Sequence, residues 1–513
     1  MVLLKKHGFS IFYLSLFLFL LPVASSIDFW HNDDWAYYPA VENILRGIFK
    51  LNPLVTPTFY SIGLPAALFS AIFGLDSLPG LTLAVSVACL FILHQILVKD
   101  LKLYGRQALL VSLLFGVCPL FVFTTWGFLT DNYFLFYFLV SIYCLNRLKD
   151  RYSIKNAGLS LVFITSAYFS RQLGLIIPLA YLPVFLKEKK YKEGALMLGI
   201  FLFLGIYHFA FFPKSDHMLE TQFTFGNLTY FRYIFSLLWS IGLTVVVFTM
   251  PLFISYFIEG ITSLGQKKTF LVLLLATLIL VLSHLYFKNI GWINEHLYFF
   301  DYTVGREGFF PDNLHGTKHG HIGAQLIYPI LENVAKILLS TYVALAIVKK
   351  SWKNMFDQYT ALAVIYFGVL LLSVKVYDRY LIPLIVLGIL TIVKSQKGLR
   401  LACLSIWVIL LGFYSYNFTL DYLRTNSYVY NKAGSLMTEH ELEPRQIVAT
   451  DLWKYKYTET DRDIVFKFTY DDPSQQNYST DFELLEKYTV DYPFNFWRGK
   501  NEIYLYRKLG VPK

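Results

Sequence analysis

Charge is what this chain has least of. Of its 513 residues, 16% are Asp, Glu, Lys or Arg and 56% are hydrophobic, and its mean hydropathy is +0.49. A soluble domain typically carries about 25% charged residues, so a water-soluble fold is excluded. Cysteine is scarce too. Cys89, Cys118, Cys144 and Cys403 all lie inside apolar runs and show no metal-type spacing, which reads as buried, inert thiols. Internal repeats and low-complexity tracts are lacking, and few charges fall in the middle of apolar runs. Both absences count against a transporter, whose signature is inverted repeats and intramembrane charge. The net charge of +10 does not point to nucleic acid, because the basic residues stand in short clusters between apolar runs, where they set topology.

What the chain has in abundance is apolar runs, and they predict a polytopic α-helical membrane protein. At roughly 20 residues per span, about thirteen spans are expected. They cover 8–26, 79–98, 107–127, 132–146, 157–170, 173–186, 194–212, 233–256, 269–287, 325–348, 358–376, 380–393 and 401–419. With the N-terminus inside, the inner segments carry about 21 basic residues, including Lys99, Arg106, Arg147, Lys149, Lys187 to Lys192, Lys349, Lys394 and Arg400, against roughly ten on the outer loops. This parity holds when one apolar run, TPTFYSIGLPAALFSAIFG at 56–74, is left out as a helix lying at the outer interface. Residues 1–26 read as a first span, with a signal peptide ending near VASS as the alternative. The outer loops are then 27–78 and 288–324. The polar tail, 420–513, reads as a small extracytoplasmic α/β domain, with strands in QIVAT, DIVFKFTY and EIYLYRKL and a helix over DFELLEKY, 481–488. Residues 1–419 form the transmembrane domain.

The outer loop opens on FWHNDDWAYY, residues 29–38. Paired carboxylates suit general-base work, in which one accepts a proton and the other tunes it or orients substrate. Trp30, Trp35, Tyr37 and Tyr38 suit a flat ligand such as a sugar ring. The competing reading is an N-cap, with Asp33 or Asp34 starting the helix AYYPAVENILRG. Arg171 and Arg379 stand at outer helix ends, where a guanidinium binds a phosphate by bidentate hydrogen bonds. Their alternatives are snorkelling and pairing with an acid such as Asp378. In the loop 288–324, HGTKHGH brings His315, His319 and His321 close, but no standard metal-ligand spacing is present, and a loop closing over substrate is the favoured reading. Asn227 begins a glycosylation sequon by pattern.

Asp33-Asp34-x-x-Tyr37, running into NILRG at 43–47, resembles the first outer loop of the GT-C glycosyltransferases, and most nearly the family 39 branch of protein O-mannosyltransferases and lipid A aminoarabinose transferases. Phe73-Gly74, closing the 56–74 run, is similar to that branch's interfacial helix end. TTWGFLTDNYF supplies Asp131 where the family carries a second-loop Asp. SRQLGLIIP offers Arg171 for the family's cation, and DRYLIP resembles its late Arg-Tyr-Leu-x-Pro with Arg379, Tyr380 and Pro383. The likeness covers residues 5–210 and, locally, 370–390. It departs at VTPTFY, where the family has a cation before paired prolines, and at FGLDSLPGLTLAV, which lacks the family's Arg.

The resemblance implies an inverting sugar transfer on the extracytoplasmic face, from a polyprenyl-phosphate donor to a hydroxyl of a lipid, glycan or protein acceptor. Asp33 is expected as the base, with Asp34 and Asp131 orienting. Arg171 and Arg379 would hold the leaving phosphate, and Trp35, Tyr37, Tyr38 and Tyr380 would touch sugar or acceptor. No standard motif calls for a divalent metal. The implied home is a prokaryotic plasma or inner membrane, with the N-terminus cytoplasmic and the C-terminus extracytoplasmic. The rival from another class is a transporter or lipid flippase, and a non-catalytic assembly protein of the same fold is a third possibility.

Overall fold

Long apolar runs fold as helices because a backbone removed from water must satisfy its own hydrogen bonds. The computed structural model describes residues 2–31, 33–49, 59–211, 228–290, 304–305, 308–309, 314, 322–349, 357–371, 377–396, 398–450, 453, 464–471, 482–490 and 501–510. Among these are α1 (Val2–Ser25), α2 (Asp34–Leu45), α3 (Tyr60–Phe73), α4 (Leu78–Lys99), α5 (Gly105–Gly116), α6 (Pro119–Thr125), α7 (Thr130–Asp150), α8 (Ile154–Tyr168) and α9 (Ile176–Lys187). There follow α10 (Tyr191–Phe211), α11 (Leu228–Phe248), α12 (Met250–Thr262), α13 (Gln266–Ile290), α14 (Ile322–Val348), α15 (Gln358–Leu371), α16 (Ile382–Ser395) and α17 (Leu401–Glu439). Among the described residues, six helices are long and apolar enough to cross a membrane, or up to eight if each of two bent pairs is one span.

That count falls below the thirteen expected from the apolar runs, and the helix lengths explain why. α8 has 15 residues and α16 has 14, about 22 and 21 Å, whereas a hydrocarbon core is about 30 Å thick. The expected span 107–127 is broken into α5 and α6, bent by 72°, and α11 and α12 meet at 93°. Prolines explain both breaks: Pro119 and Pro251 open the second helix of each pair, where a missing N–H costs nothing. Within the run at 56–74, residues 60–73 form α3, ended by Gly74 at φ +85°, and its Ile62 and Ala66 share a cluster with Val41 and Ile44 of α2.

One end of the bundle is sealed by a polar network. The buried Asn146 near the end of α7 accepts from the Tyr181 hydroxyl at 2.9 Å and donates to Asp100 at 2.7 Å and to Tyr359 at 2.9 Å. Around it, Lys149 pairs with Glu188 at 2.6 Å and Lys394 with Asp357 at 2.6 Å. Two of the basic residues expected on the inner face, Lys149 and Lys394, thus lie around this network.

α17 runs 39 residues, about 58 Å, without a break at 419–420, and its far end packs under the tail. There β3 (Ile447–Val448), β4 (Phe466–Thr469), β5 (Phe482–Val490) and β6 (Asn501–Lys508) form a mixed sheet of order β3-β4-β6-β5, with β3 parallel to β4 and the other pairs antiparallel. Val429, Ala433 and Leu436 of α17 meet Phe466, Phe468, Ile503 and Leu505 in its core. A two-stranded ribbon of β1 (Val304–Gly305) and β2 (Gly308–Phe309) precedes it in the chain. One expectation is corrected here. DFELLEKY forms strand β5, not a helix: its helix-forming residues are overridden by pairing with β6, which sets Glu483 opposite Arg507 and places Lys487 Nζ 2.8 Å from Glu502.

Asn146 offers a test of the sealed end. Asn146→Leu leaves Asp100 and the two tyrosines short of a partner, and each unsatisfied buried group costs about 1–3 kcal/mol. A clear drop in melting temperature in detergent is expected; an unchanged one would show that the network adds nothing.

Candidate functional site

At the opposite end of α7, four charged side chains from four separate segments meet. Asp33 occupies the residue before α2, yet its side chain makes no capping hydrogen bond. Its Oδ2 instead lies 2.6 Å from Arg379 Nη2. Asp131 sits in the first turn of α7, where the helix dipole favours a carboxylate. Its Oδ1 accepts from Arg171 Nη2 at 2.8 Å, and its Oδ2 lies 3.9 Å from Arg379 Nε. Arg171 also donates to Thr130 Oγ1 at 3.0 Å and stacks over the Tyr380 ring at 4.7 Å. Arg379 lies over Tyr377 at 5.4 Å. Two guanidiniums and two carboxylates thus balance in a largely buried box.

Local turns explain the positions. Arg171 follows α8 and precedes a tight 3-10 turn at Gln172–Leu175; a Cβ on Gly174 would stand 2.3 Å from the Tyr168 backbone nitrogen, so glycine is required there. Arg379 rides a second 3-10 turn, Asp378–Leu381, whose Asp378 carboxylate accepts from the Arg379 N–H at 2.7 Å. The Asp33 loop is pinned on both flanks. Asp28 accepts from Asn431 Nδ2 of α17 at 2.9 Å. Asp34 accepts from the backbone N–H of His31 at 2.9 Å and of Phe128 at 2.8 Å.

Asp33 and Asp34 therefore do different things. Asp34 is 1% exposed and points into the protein, where it clamps its loop to the turn between α6 and α7 that carries Asp131. Gly127 makes this approach possible, since a Cβ there would fall 2.2 Å from His31 Cδ2. Burial pushes the Asp34 carboxyl up to about 8 against the pull of its two N–H donors. His31 is packed between Phe123 and Tyr422, with ring centroids at 4.3 and 5.1 Å, and burial pushes it down to about 3, so it is neutral near pH 7.

Of the expected aromatic contacts, Tyr380 joins the cluster through Arg171, and Tyr37 lies beside it, stacked on Phe59 at 5.2 Å, with its phenol pushed up by burial and by Asp33. Tyr38 packs against Trp30 and Phe128, both at 6.2 Å, and Trp35 against the α2–α3 cluster. Sequence reasoning passed over Gly127, Thr130, His31 and Tyr377. The first two lie within four residues of Asp131, and that proximity was the available signal. His315, His319 and His321 lie outside the described residues, among which no group of three metal-type side chains occurs.

No protein-family model, no curated protein and no solved structure matches this chain. The site's reading therefore rests on its own geometry.

Asp34 supplies a pH test. A carboxyl raised by folding stabilises the fold fully below its unfolded value, near 4, and that contribution is lost as pH rises through about 8. The melting temperature of the wild-type protein is expected to fall from about pH 4 to about pH 8 and to level off above that. Asp34→Asn should start lower, with one oxygen serving two donors, and should lose that slope. Equal slopes in the two proteins would refute the assignment.

Proposed function

We propose that this chain is a membrane glycosyltransferase of GT-C architecture that moves a sugar from a polyprenyl-phosphate donor to an acceptor hydroxyl of a lipid, glycan or protein. The observation that carries this reading is the convergence of Asp33, Asp131, Arg171 and Arg379 at one end of the bundle. Acids beside guanidiniums supply both halves of such a transfer: a base for the attacking hydroxyl and cations for the departing phosphate.

In the proposed reaction, Asp33 takes the acceptor's hydroxyl proton. The oxygen bonds to the anomeric carbon with inversion, the bond from that carbon to the phosphate oxygen breaks, and its electron pair leaves with polyprenyl phosphate. Arg171 and Arg379 stabilise that phosphate. Asp131 fixes both guanidiniums, and Asp34 positions the loop rather than touching the substrate. In this reading α7, α8, α9, α15 and α16 complete about thirteen crossings. The cluster faces the extracytoplasmic side of a prokaryotic membrane, and α3 lies at that interface.

A transporter or lipid flippase is the second reading, favoured by the two bent helix pairs, since broken helices build transport sites. The breaks at 117–118 and at Thr249 carry no charged side chain, and prolines account for them. The charged groups instead gather at helix ends.

The deciding experiment supplies purified protein with a labelled polyprenyl-phosphate sugar and membrane lipid, glycan and protein fractions, and follows label transfer and release of polyprenyl phosphate. Asp33→Asn should lower turnover by about 10²–10⁴-fold, the worth of a positioned base. No transfer by the wild-type protein, or full activity of Asp33→Asn, would reject the reading. Orientation is tested separately on a cysteine-free background. Arg46→Cys should react with an impermeant thiol reagent added outside, and Lys187→Cys should not; the reverse pattern would invert the topology.

A further inference from the structure

As the protein stands, the proposed base is not at liberty. Arg379 holds Asp33 Oδ2 at 2.6 Å through a single nitrogen, Nη2. The Arg379 side chain is 8% exposed, whereas Asp33 is 31% exposed. Nε and Nη1 of Arg379 are buried and make no hydrogen bond among the described residues, although Asp131 Oδ2 lies 3.9 Å from Nε. The guanidinium therefore keeps two buried donors without a hydrogen bond among the described residues, one of them, Nε, facing Asp131. Its second acid, Asp131, is 3% exposed and already hydrogen bonded to Arg171. Of the two carboxylates, Asp33 is the one that can leave: it is nearest to solvent and its side chain has no capping duty.

We propose that Arg379 is an exchange point at which a phosphate oxyanion replaces the Asp33 carboxylate, so that binding of the phosphate frees Asp33. This rests on the reading of the site as taking a phosphate-linked donor, and it adds an order of events: the base is released only when the group to be displaced is in place. The chemistry supports it. A phosphate offers several acceptor oxygens to the two unused nitrogens as well as to Nη2, whereas Asp33 offers one oxygen to one nitrogen. The displaced carboxylate moves toward water, where ionisation is cheapest. Asp131 stays behind with Arg171 and keeps the second guanidinium oriented.

The exchange has a consequence that a simple base does not. Asp33 competes with phosphate in the resting protein, so removing its charge should tighten phosphate binding even as it abolishes turnover. Binding is measured by equilibrium titration of the full chain in detergent with three probes: inorganic phosphate, a short polyprenyl phosphate and the matching neutral polyprenol. Asp33→Asn is expected to bind both phosphates about tenfold more tightly than wild type, equivalent to about 1.4 kcal/mol, with the polyprenol unchanged. Asp33→Ser removes the same charge and serves if Asp33→Asn does not fold. Adding Arg379→Gln to either variant should erase the gain. Preference for polyprenyl phosphate over inorganic phosphate assigns the site to a lipid head group; equal affinities assign it to phosphate alone.

Equal or weaker phosphate binding by a folded Asp33→Asn would overturn the exchange, and so would a gain that survives Arg379→Gln. The two readings fail separately. Loss of transfer with unchanged phosphate affinity removes the exchange and leaves the base. A tenfold gain in a protein that transfers no sugar keeps the exchange and removes the transfer.

Discussion

A guanidinium buried as deeply as that of Arg379 must be neutralised, and the arrangement at this end of the molecule follows from that requirement. An uncompensated buried charge costs several kcal/mol, and removing one partner of a buried pair typically costs about 3–5 kcal/mol. Arg379 meets the demand with Asp33, 346 residues away in sequence, and with Asp131 at the head of α7. Arg171 then shares Asp131. The loop after α1, the start of α7, the turn before α9 and the turn before α16 are thus tied at one point. None of these ties is local, so the cluster forms only once the helices have assembled, and it in turn fixes how their ends meet.

α7 connects this cluster to the sealed end. Asp131 and Asn146 are 15 positions apart on one helix, about 22 Å, and each anchors a buried polar network. The two networks differ in kind. Around Asn146, an amide binds two hydroxyls and the Asp100 carboxylate, which Arg147 also reaches, and further ion pairs lie around it. Around Asp131, charges dominate and donors are left over. A network whose central groups are satisfied rigidifies and specifies packing, while one with several buried charged groups unsatisfied is costly and persists at sites with something further to bind. That asymmetry separates the end that holds the bundle together from the end suited to chemistry.

What could be read from the sequence follows the same physics. The apolar runs and their helical state were legible, because burial and periodicity act locally. The strands at Ile447–Val448, Phe466–Thr469 and Asn501–Lys508 were legible from their β-branched and aromatic content. DFELLEKY was not: its composition favours a helix, and only the partner strand β6 makes it a strand. The count of thirteen spans is not confirmed among the described residues, since hydropathy does not register a proline break at Pro119 or the 14-residue length of α16. Asp33, Asp131, Arg171 and Arg379 could each be picked out as a misplaced charge. That Arg379 takes Asp33, while Asp34 takes two backbone N–H groups, depends on tertiary contacts that no local pattern encodes.

The adjacent acids show why a motif does not determine a mechanism. Successive residues at a helix start project about 100° apart, so Asp33 and Asp34 cannot face the same group. Asp34, turned inward, is bound to immobile backbone donors, and its ionisation is opposed by burial. Asp33, turned toward the arginines, is bound to a side chain rather than to the backbone and is partly open to solvent, which suits the proton-accepting role proposed for it. A proton acceptor must be free to change its partner during the reaction, and a clamp must not be. Identical in chemistry and consecutive in sequence, the two carboxyls are given opposite surroundings by the direction in which α2 begins, and the proposed roles follow from those surroundings.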